Sequence, residues 1–210
     1  MIDACRTHRV QLAIGYRMQH EPNTQAVMEL TTSRPFGRLQ RIRAEAGFRG
    51  FDGASGDNWR LDPARGGGAM YDMGVYALNA ARYTAGAEPV AVTATQAVER
   101  GDLFRGVDET MRFRLEFPDG VIADGETSFG CNMNLLRADC TDGWYELSPF
   151  QAYEGVRGEA SDGRRFDAEI GATPAQQARQ MDADALAIIG GRPPRVPGEE
   201  GWRDMLAPVS

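Results

Sequence analysis

Two side chains with acid–base chemistry stand four residues apart in this sequence, directly after a run of three glycines. Asp72 and Tyr76 follow Gly66–Gly68 in a segment with helical periodicity. Residues four apart share one face of an α-helix, about 6 Å apart along its axis, so this carboxylate and this phenol can meet one small ligand. The same spacing is also compatible with a core-packed tyrosine and a solvated aspartate, so spacing alone leaves both interpretations open.

A tyrosine can carry a proton through a transition state when nearby positive charge stabilises its phenolate. The sequence offers three arginines for that charge: Arg17, Arg60 and Arg65. The glycine run predicts a helix start whose free N–H groups face a ligand, because glycine allows close backbone approach and helix starts favour anionic or hydroxyl oxygens.

Two further pairs are candidates for ligand contacts. Tyr16–Arg17 ends a short apolar run that is typical of a buried strand, and open α/β sheets place ligand-binding groups at strand ends. Trp59–Arg60 could lay an indole over a sugar ring or a nicotinamide and donate paired hydrogen bonds to hydroxyls. Trp59 could equally pin its loop to the core.

Composition excludes several classes of function. The chain has 210 residues with a net charge of -7, and all 23 residues in the Lys+Arg count are arginine. An acidic chain without a basic cluster disfavours nucleic-acid binding, and the absence of lysine excludes chemistry that needs a side-chain amine. No apolar run approaches the roughly 20 residues that span a bilayer, and the N-terminus lacks a signal sequence, which predicts a cytoplasmic protein without a membrane partner.

Neither a disulfide framework nor a metal site is predicted. The three cysteines are odd in number and lack CxxC spacing, and the two histidines, His8 and His20, have no ligand partners at metal-binding distances in the sequence. The glycine run does not follow a strand in a βαβ unit, so it is not a dinucleotide fingerprint.

The first half of the chain predicts alternating elements around a long loop. Residues 1–9 have the spacing of a helix tail, residues 10–16 of a buried strand, and residues 22–34 of a three-turn helix. Residues 39–48 alternate as a half-buried strand, and residues 49–66 lack periodicity. Residues 67–83 return to helical spacing.

The second half predicts an antiparallel meander followed by two helices. Short β-rich runs between residues 90 and 149 are separated by Asp-Gly turns at 119–120 and 142–143, with a weaker one at 162–163. A helix follows Pro174 and a short one lies near the C-terminus. The pattern predicts an α+β fold: an open, predominantly antiparallel mixed sheet with helices on one face. The other face could be solvated or could pair with a second subunit.

Three segments carry a resemblance to a known family, IGYRMQHEP (14–22), WRLDPARGGGAMYDMGVYALNAARY (59–83) and RVPGEEGWRDM (195–205). They resemble the C-terminal domain of the Gfo/Idh/MocA oxidoreductases, most closely the glucose-fructose oxidoreductase branch. The resemblance implies that residues 1–17 are the last helix and strand of a Rossmann domain. It also implies that residues 18–210 are an α+β domain for substrate binding and oligomerisation through the open sheet face.

The resemblance also implies roles for individual residues. Asp72 and Tyr76 resemble the catalytic pair, with Tyr76 as proton shuttle in hydride transfer and Asp72 orienting a sugar. Most members have histidine where this chain has Tyr76, and tyrosine is typical of the glucose-fructose branch. Tyr16–Arg17 and Trp59–Arg60 resemble substrate-binding pairs that border the site.

The implied cofactor is NADP or NAD in the full-length protein, with Arg65 and Tyr16 as the candidate contacts. The segment lacks both the nucleotide fingerprint and the lysine of the family's Glu-Lys-Pro motif, so this chain alone is expected to bind no cofactor tightly and to be inactive. The implied substrate is a sugar or polyol. An alternative is a non-enzymatic module that dimerises through its sheet or binds a sugar.

Overall fold

A computed structural model of the chain describes residues 1–53 and 58–206, so part of the predicted loop at 49–66 lies outside the described residues. The described part contains five α-helices: α1 (Ile2–Thr7), α2 (Pro22–Ser33), α3 (Val75–Ala85), α4 (Ala175–Ile189) and α5 (Gly198–Met205). Among these residues no helix is both long enough and apolar enough to cross a membrane.

The described strands form one mixed sheet. They are β1 (Leu39–Gly47), β2 (Ala91–Ala97), β3 (Thr110–Glu116), β4 (Ile122–Ser128), β5 (Met133–Cys140), β6 (Gly143–Leu147), β7 (Gly158–Ala160) and β8 (Arg165–Phe166). Their order is β2-β3-β4-β1-β5-β6-β7-β8. Only the β1–β4 pair is parallel, which confirms the predicted mixed, mostly antiparallel α+β architecture.

The core lies between one sheet face and the helices. On β1, Ile42, Ala44 and Ala46 are buried, as period-two alternation predicts. α3 packs directly over β1, and small residues on its inner face, Ala77, Ala80 and Ala81, are buried against the sheet. Alanines permit close helix–sheet packing, which fixes the start of α3 at one end of the sheet.

The opposite sheet face carries charged side chains. Neighbouring strands bring arginines and carboxylates together, such as Arg41 beside Asp124 at 2.5 Å and Arg112 beside Glu126 at 2.8 Å. β3 is buried on one phase only, because Phe113 and Leu115 face the core while its arginines are exposed. This confirms that the sheet has one open face.

The predicted strand at residues 10–16 is wrong. Residues 2–7 form a helix as predicted, but the following segment has only an isolated bridge between Ala13 and Pro197, and Val10 is 57% exposed. A strand needs a neighbouring strand for its backbone groups. Within the described residues, only the segment before α5 offers one.

Candidate active site

The helix that carries Asp72 and Tyr76 begins with a wide turn. Residues Met70–Gly74 form a π-helix, which continues into α3 at Val75. Asp72 therefore lies on the π-turn and Tyr76 on the first turn of the α-helix. Such π segments are rare and are often found at functional sites.

The glycine run does not present free amides to a ligand, contrary to the expectation from the sequence. The Gly67 amide donates to the Asp62 carbonyl at 2.9 Å and the Gly68 amide to the Arg60 carbonyl at 2.9 Å. Gly68 has a φ of +111, and a Cβ there would lie 2.1 Å from a carboxylate oxygen of Asp108. The glycines serve close internal packing.

Asp108 accepts the hydrogen bonds that the first backbone amides of this helix donate. Its carboxylate accepts from the Met70 amide at 2.7 Å, and its own carbonyl accepts from the Ala69 amide at 3.1 Å. Burial raises the pKa of this carboxyl, while the hydrogen bonds from the backbone oppose that shift. The glycine pattern alone could not predict that the helix would be capped by a residue from a loop that is distant in the sequence.

Asp72 is held by Arg60. The Arg60 Nε donates to Asp72 Oδ2 at 2.8 Å, and the two side chains are 35% and 14% exposed. The guanidinium also lies 4.5 Å from the centre of the Trp59 ring. The structure thus brings the Trp59–Arg60 loop, in two short 3₁₀ turns (Trp59–Leu61 and Pro63–Arg65), onto the helix that carries Asp72.

Tyr76 is half-buried beside this ion pair. Burial raises the pKa of its phenol, and the positive charges of Arg17 and Arg60 act in the opposite direction. Its ring packs edge-on against the ring of Tyr16, with 6.4 Å between centroids. The phenol therefore lies where both a carboxylate, Asp72, and two cations influence it.

Tyr16 supports this arrangement from within the protein. It is buried, and its hydroxyl donates to Asp204 of α5 at 2.6 Å. Asp204 also pairs with the buried Arg82 and accepts from Asn79 at 3.3 Å. Burial and the adjacent carboxylate of Asp204 raise the pKa of the Tyr16 phenol. A hydroxyl committed in this way orients a neighbour and is not free for a ligand.

Arg17 is buried next to the same phenol. It begins a short 3₁₀ helix, Arg17–His20, and not the end of a strand as the sequence suggests. Its Nη1 donates to the Ala152 carbonyl at 2.9 Å and to the side-chain oxygen of Gln176 on α4. The guanidinium stacks on the Tyr153 ring, 3.9 Å from its centre.

Arg65 lies apart from this group. It ends the 3₁₀ turn Pro63–Arg65, is exposed, and forms no salt bridge with the described residues. An exposed guanidinium near the site can bind an anionic group such as a phosphate, whereas the committed hydroxyl of Tyr16 does not fit that role.

Three residues of the site were not predicted from the sequence: Tyr153, Gln176 and Asp204. They lie 75 or more positions after Tyr76, on a loop, on α4 and on α5, and no local spacing links them to it. Asp204 does lie within the RVPGEEGWRDM segment that carries the family resemblance, which was the one available signal.

No metal centre is found among residues 1–53 and 58–206, since no group of His, Cys, Asp or Glu side chains there could hold an ion. His20 is buried and burial lowers its pKa, which favours a neutral imidazole.

Comparison with known proteins gives this geometry a family context. The profile of the GFO/IDH/MocA C-terminal domain matches residues 24–146. The chain is 33% identical over 205 residues to D-xylose 1-dehydrogenase (NADP(+)) 2 of Haloferax volcanii, covering 95% of this chain and 61% of that protein. It is 33% identical over 125 residues to D-xylose 1-dehydrogenase [NADP(+)] of Haloarcula marismortui, covering 59% of this chain and 35% of that protein.

A solved structure agrees with these relatives. The aldose-aldose oxidoreductase of Caulobacter crescentus, crystallised with glycerol, superimposes with a TM-score of 0.86 at 32% identity over 97% of this chain and 61% of that chain. The chain therefore spans about three fifths of the length of these two longer matches. By its profile match over more than half its length, the chain belongs to the GFO/IDH/MocA oxidoreductase family and carries its C-terminal domain.

Proposed function

We propose that this chain is the sugar-binding and catalytic half of an NADP-dependent oxidoreductase that acts on the anomeric CH–OH of an aldose. The observation that carries the proposal is the half-buried phenol of Tyr76, flanked by the Asp72–Arg60 pair and by the cation of Arg17. The relatives with similar sequences act, by their names, on D-xylose or other aldoses, and two of them use NADP(+).

In this proposal Tyr76 moves the hydroxyl proton. When an anomeric alcohol is oxidised, the C–H bond breaks with its electron pair, a C=O bond forms, and the O–H proton needs an acceptor. Tyr76 in its phenolate form accepts that proton, and in the reverse direction the phenol returns it. Burial raises the pKa of Tyr76, and the charges of Arg17 and Arg60 oppose that rise, so in this proposal the two arginines favour the phenolate that accepts the proton.

The Asp72–Arg60 pair holds the sugar. A carboxylate accepts from sugar hydroxyls and a guanidinium donates to them, and each orients the other through the 2.8 Å hydrogen bond. The indole of Trp59 adds an apolar surface beside them, with Arg60 already over its ring. This arrangement suits a small polyhydroxylated ligand.

The nicotinamide cofactor supplies the hydride acceptor when it is bound. Within the described residues the glycine amides are occupied by protein carbonyls, so they offer no cradle for a pyrophosphate. The exposed Arg65 stays the candidate contact for a cofactor phosphate. The division at residue 17 between a nucleotide-binding part and a substrate domain belongs to the same proposal, as does the narrower placement in the glucose-fructose branch, which rests on Tyr76.

The experiment is turnover of the full-length protein with NADP(+) and a panel of aldoses. Tyr76→Phe removes only the hydroxyl, and we expect turnover to fall by about 10²- to 10⁴-fold, the usual contribution of a general base. Tyr83→Phe is the matched control, because the Tyr83 hydroxyl has no hydrogen-bond partner among the described residues and lies outside the site.

Unchanged turnover in Tyr76→Phe would remove Tyr76 from the chemistry. Tight aldose binding without NADP-dependent oxidation would instead favour the sugar-binding module that the sequence leaves open. The Tyr76→Phe and Tyr83→Phe variants should both have the melting temperature of the wild type, which separates a chemical defect from a folding defect.

A further inference from the structure

The two arginines that are buried among the described residues, Arg17 and Arg82, have opposite surroundings. Arg82 is neutralised by three carboxylates, those of Glu88, Glu200 and Asp204. Arg17 is just as buried, at 5% exposed, yet it forms no salt bridge with any described residue, and its Nη2 has no hydrogen-bond partner among them. Burying an unpaired cation is costly, so a fold that does so at one place must hold it there by other means.

Neutral groups hold Arg17. One is the backbone carbonyl of Ala152 at 2.9 Å, another is the aromatic face of Tyr153 at 3.9 Å, and the third is the side-chain oxygen of Gln176. Each interaction fixes the guanidinium without cancelling its charge. Arg17 directly follows Tyr16, whose ring lies 6.4 Å from the Tyr76 ring, so the uncancelled positive potential extends to the phenol of Tyr76.

Gln176 is the central element of this clamp. It is 1% exposed, and its amide nitrogen donates to the carbonyls of Ala152 at 2.7 Å and Tyr153 at 3.1 Å while its oxygen accepts from Arg17. One side chain of α4 thus locks both the cation and the loop that supports it. A glutamate of the same size here would place a carboxylate directly on the guanidinium.

The other groups that face Tyr76 do not replace this charge. Arg60 is tied to the carboxylate of Asp72, and the side chains of Tyr16 and Tyr153 supply no positive charge. Arg17 is thus the one cation beside Tyr76 that no described carboxylate neutralises. Its field favours the phenolate over the phenol.

We propose that Gln176 is a positioning residue whose neutrality matters: it fixes Arg17 beside Tyr76 while leaving the Arg17 charge free to stabilise the Tyr76 phenolate. The consequence for turnover rests on the proposed function. The effect on the ionisation of Tyr76 does not, and it can be measured in the absence of substrate and cofactor.

The test measures the ionisation of residue 76 directly in the 210-residue chain. Tyr76 is replaced by 3,5-difluorotyrosine, whose phenol ionises closer to neutral pH, and the titration is followed by fluorine NMR. Gln176→Glu and Gln176→Met both remove the amide donor, but only glutamate adds a negative charge. We expect Gln176→Glu to raise the pKa of residue 76 by about one pH unit above its value in Gln176→Met, as expected when an adjacent full charge is cancelled at an intermediate dielectric.

Arg17→Gln provides the second arm and should raise the same pKa by a similar amount, with Arg17→Lys restoring part of the difference. Arg179→Gln is the control, because Arg179 of α4 also contacts this 3₁₀ helix, through the carbonyl of His20 at 3.1 Å. In the Arg179→Gln variant, the pKa of residue 76 should equal its wild-type value.

Equal pKa values in Gln176→Glu and Gln176→Met, or no change in Arg17→Gln, would overturn the proposal. If the Arg17 variants do not fold, the pair of Gln176 variants decides it alone, because both keep Arg17. In the full-length protein the alkaline shift should also appear in the pH profile of kcat. A shift in the titration without any aldose oxidation would keep this inference and refute the proposed function.

Discussion

Asp72 has a smaller role in the proposed chemistry than Tyr76 but a more defined one, because its carboxylate is oriented by Arg60. Asp72→Asn keeps the size and one oxygen acceptor and removes the charge. A hydrogen bond to a charged group contributes about 1.5–3 kcal/mol, so we expect kcat/KM for the aldose to fall by roughly 10- to 100-fold, mostly through KM. Steady-state kinetics of the full-length protein measure this.

Asp119→Asn is the control for that prediction, since Asp119 is exposed at a hairpin tip and bonds no site residue among those described. A fall in kcat with an unchanged KM would contradict the assignment, because it would place Asp72 in proton transfer and not in sugar orientation. Tyr76→Phe and Asp72→Asn thus separate the two roles.

For single residues, the sequence predicts contacts between residues that are close along the chain and misses contacts between residues that are far apart. The Asp72–Tyr76 pair follows from the fixed geometry of a helix, and it survives the π-turn because residues four apart still lie near one face. The ligand role expected for the glycine amides was wrong, because their partners come from Arg60 and Asp62, which only the folded loop brings close. Gln176 could not be found for the same reason.

Among the elements, α5 helps to hold the candidate site, although none of its residues has the spacing of a catalytic motif. Its Asp204 joins α5 to α3 through Arg82 and to the segment before the first 3₁₀ helix through Tyr16. Tyr16 in turn packs its ring against Tyr76. A C-terminal helix thereby fixes the position of a phenol more than a hundred residues earlier in the chain.

Asp204→Ala should destabilise the fold strongly. Removing one partner of a buried ion pair costs about 3–5 kcal/mol, and Arg82 keeps Glu88 and Glu200, so we expect a loss near the lower end, about 3 kcal/mol in the free energy of unfolding. Urea denaturation at neutral pH measures it. The exposed Asp182→Ala on α4 should change stability by less than about 0.5 kcal/mol. Equal losses for both variants would mean that Asp204 does not organise the packing.

The elements themselves show which patterns are reliable in this sequence. β1 and β3 were predictable because one phase of each strand is apolar and the other is charged. The run at 10–16 has the composition of a strand but finds only one bridge, at Ala13, since strand formation depends on a partner. The central position of β1, parallel to β4, also depends on pairing far along the chain and is not encoded by local periodicity.

For the whole molecule, the open sheet face is the surface whose charge pattern bears on association between copies of the chain. The face is neither apolar nor of one sign. Its arginines and carboxylates are intermixed, and they are Arg41, Arg43, Glu45, Arg112, Arg114, Asp124, Glu126, Arg137, Asp139 and Glu146. A face that carries both signs of charge allows a second copy to set arginines against carboxylates. We propose this face as the surface through which copies of the chain associate.

Charge reversal on this face should therefore prevent association. In Arg43→Glu/Arg114→Glu, the new carboxylates lie beside Glu45 and Asp124, and two copies would then meet with like charges opposed, which costs several kcal/mol. We expect wild type to sediment as a dimer or larger species whose dissociation constant rises with salt, since exposed charges are screened beyond about 8 Å at physiological ionic strength. The double variant should sediment as a monomer. Arg34→Glu/Arg157→Glu changes the net charge equally at exposed positions that lie outside this set of charges, and it should keep the wild-type mass. If both double variants keep the wild-type mass, the subunit contact lies elsewhere on the molecule. If both sediment as monomers, the change in net charge and not this face is the cause.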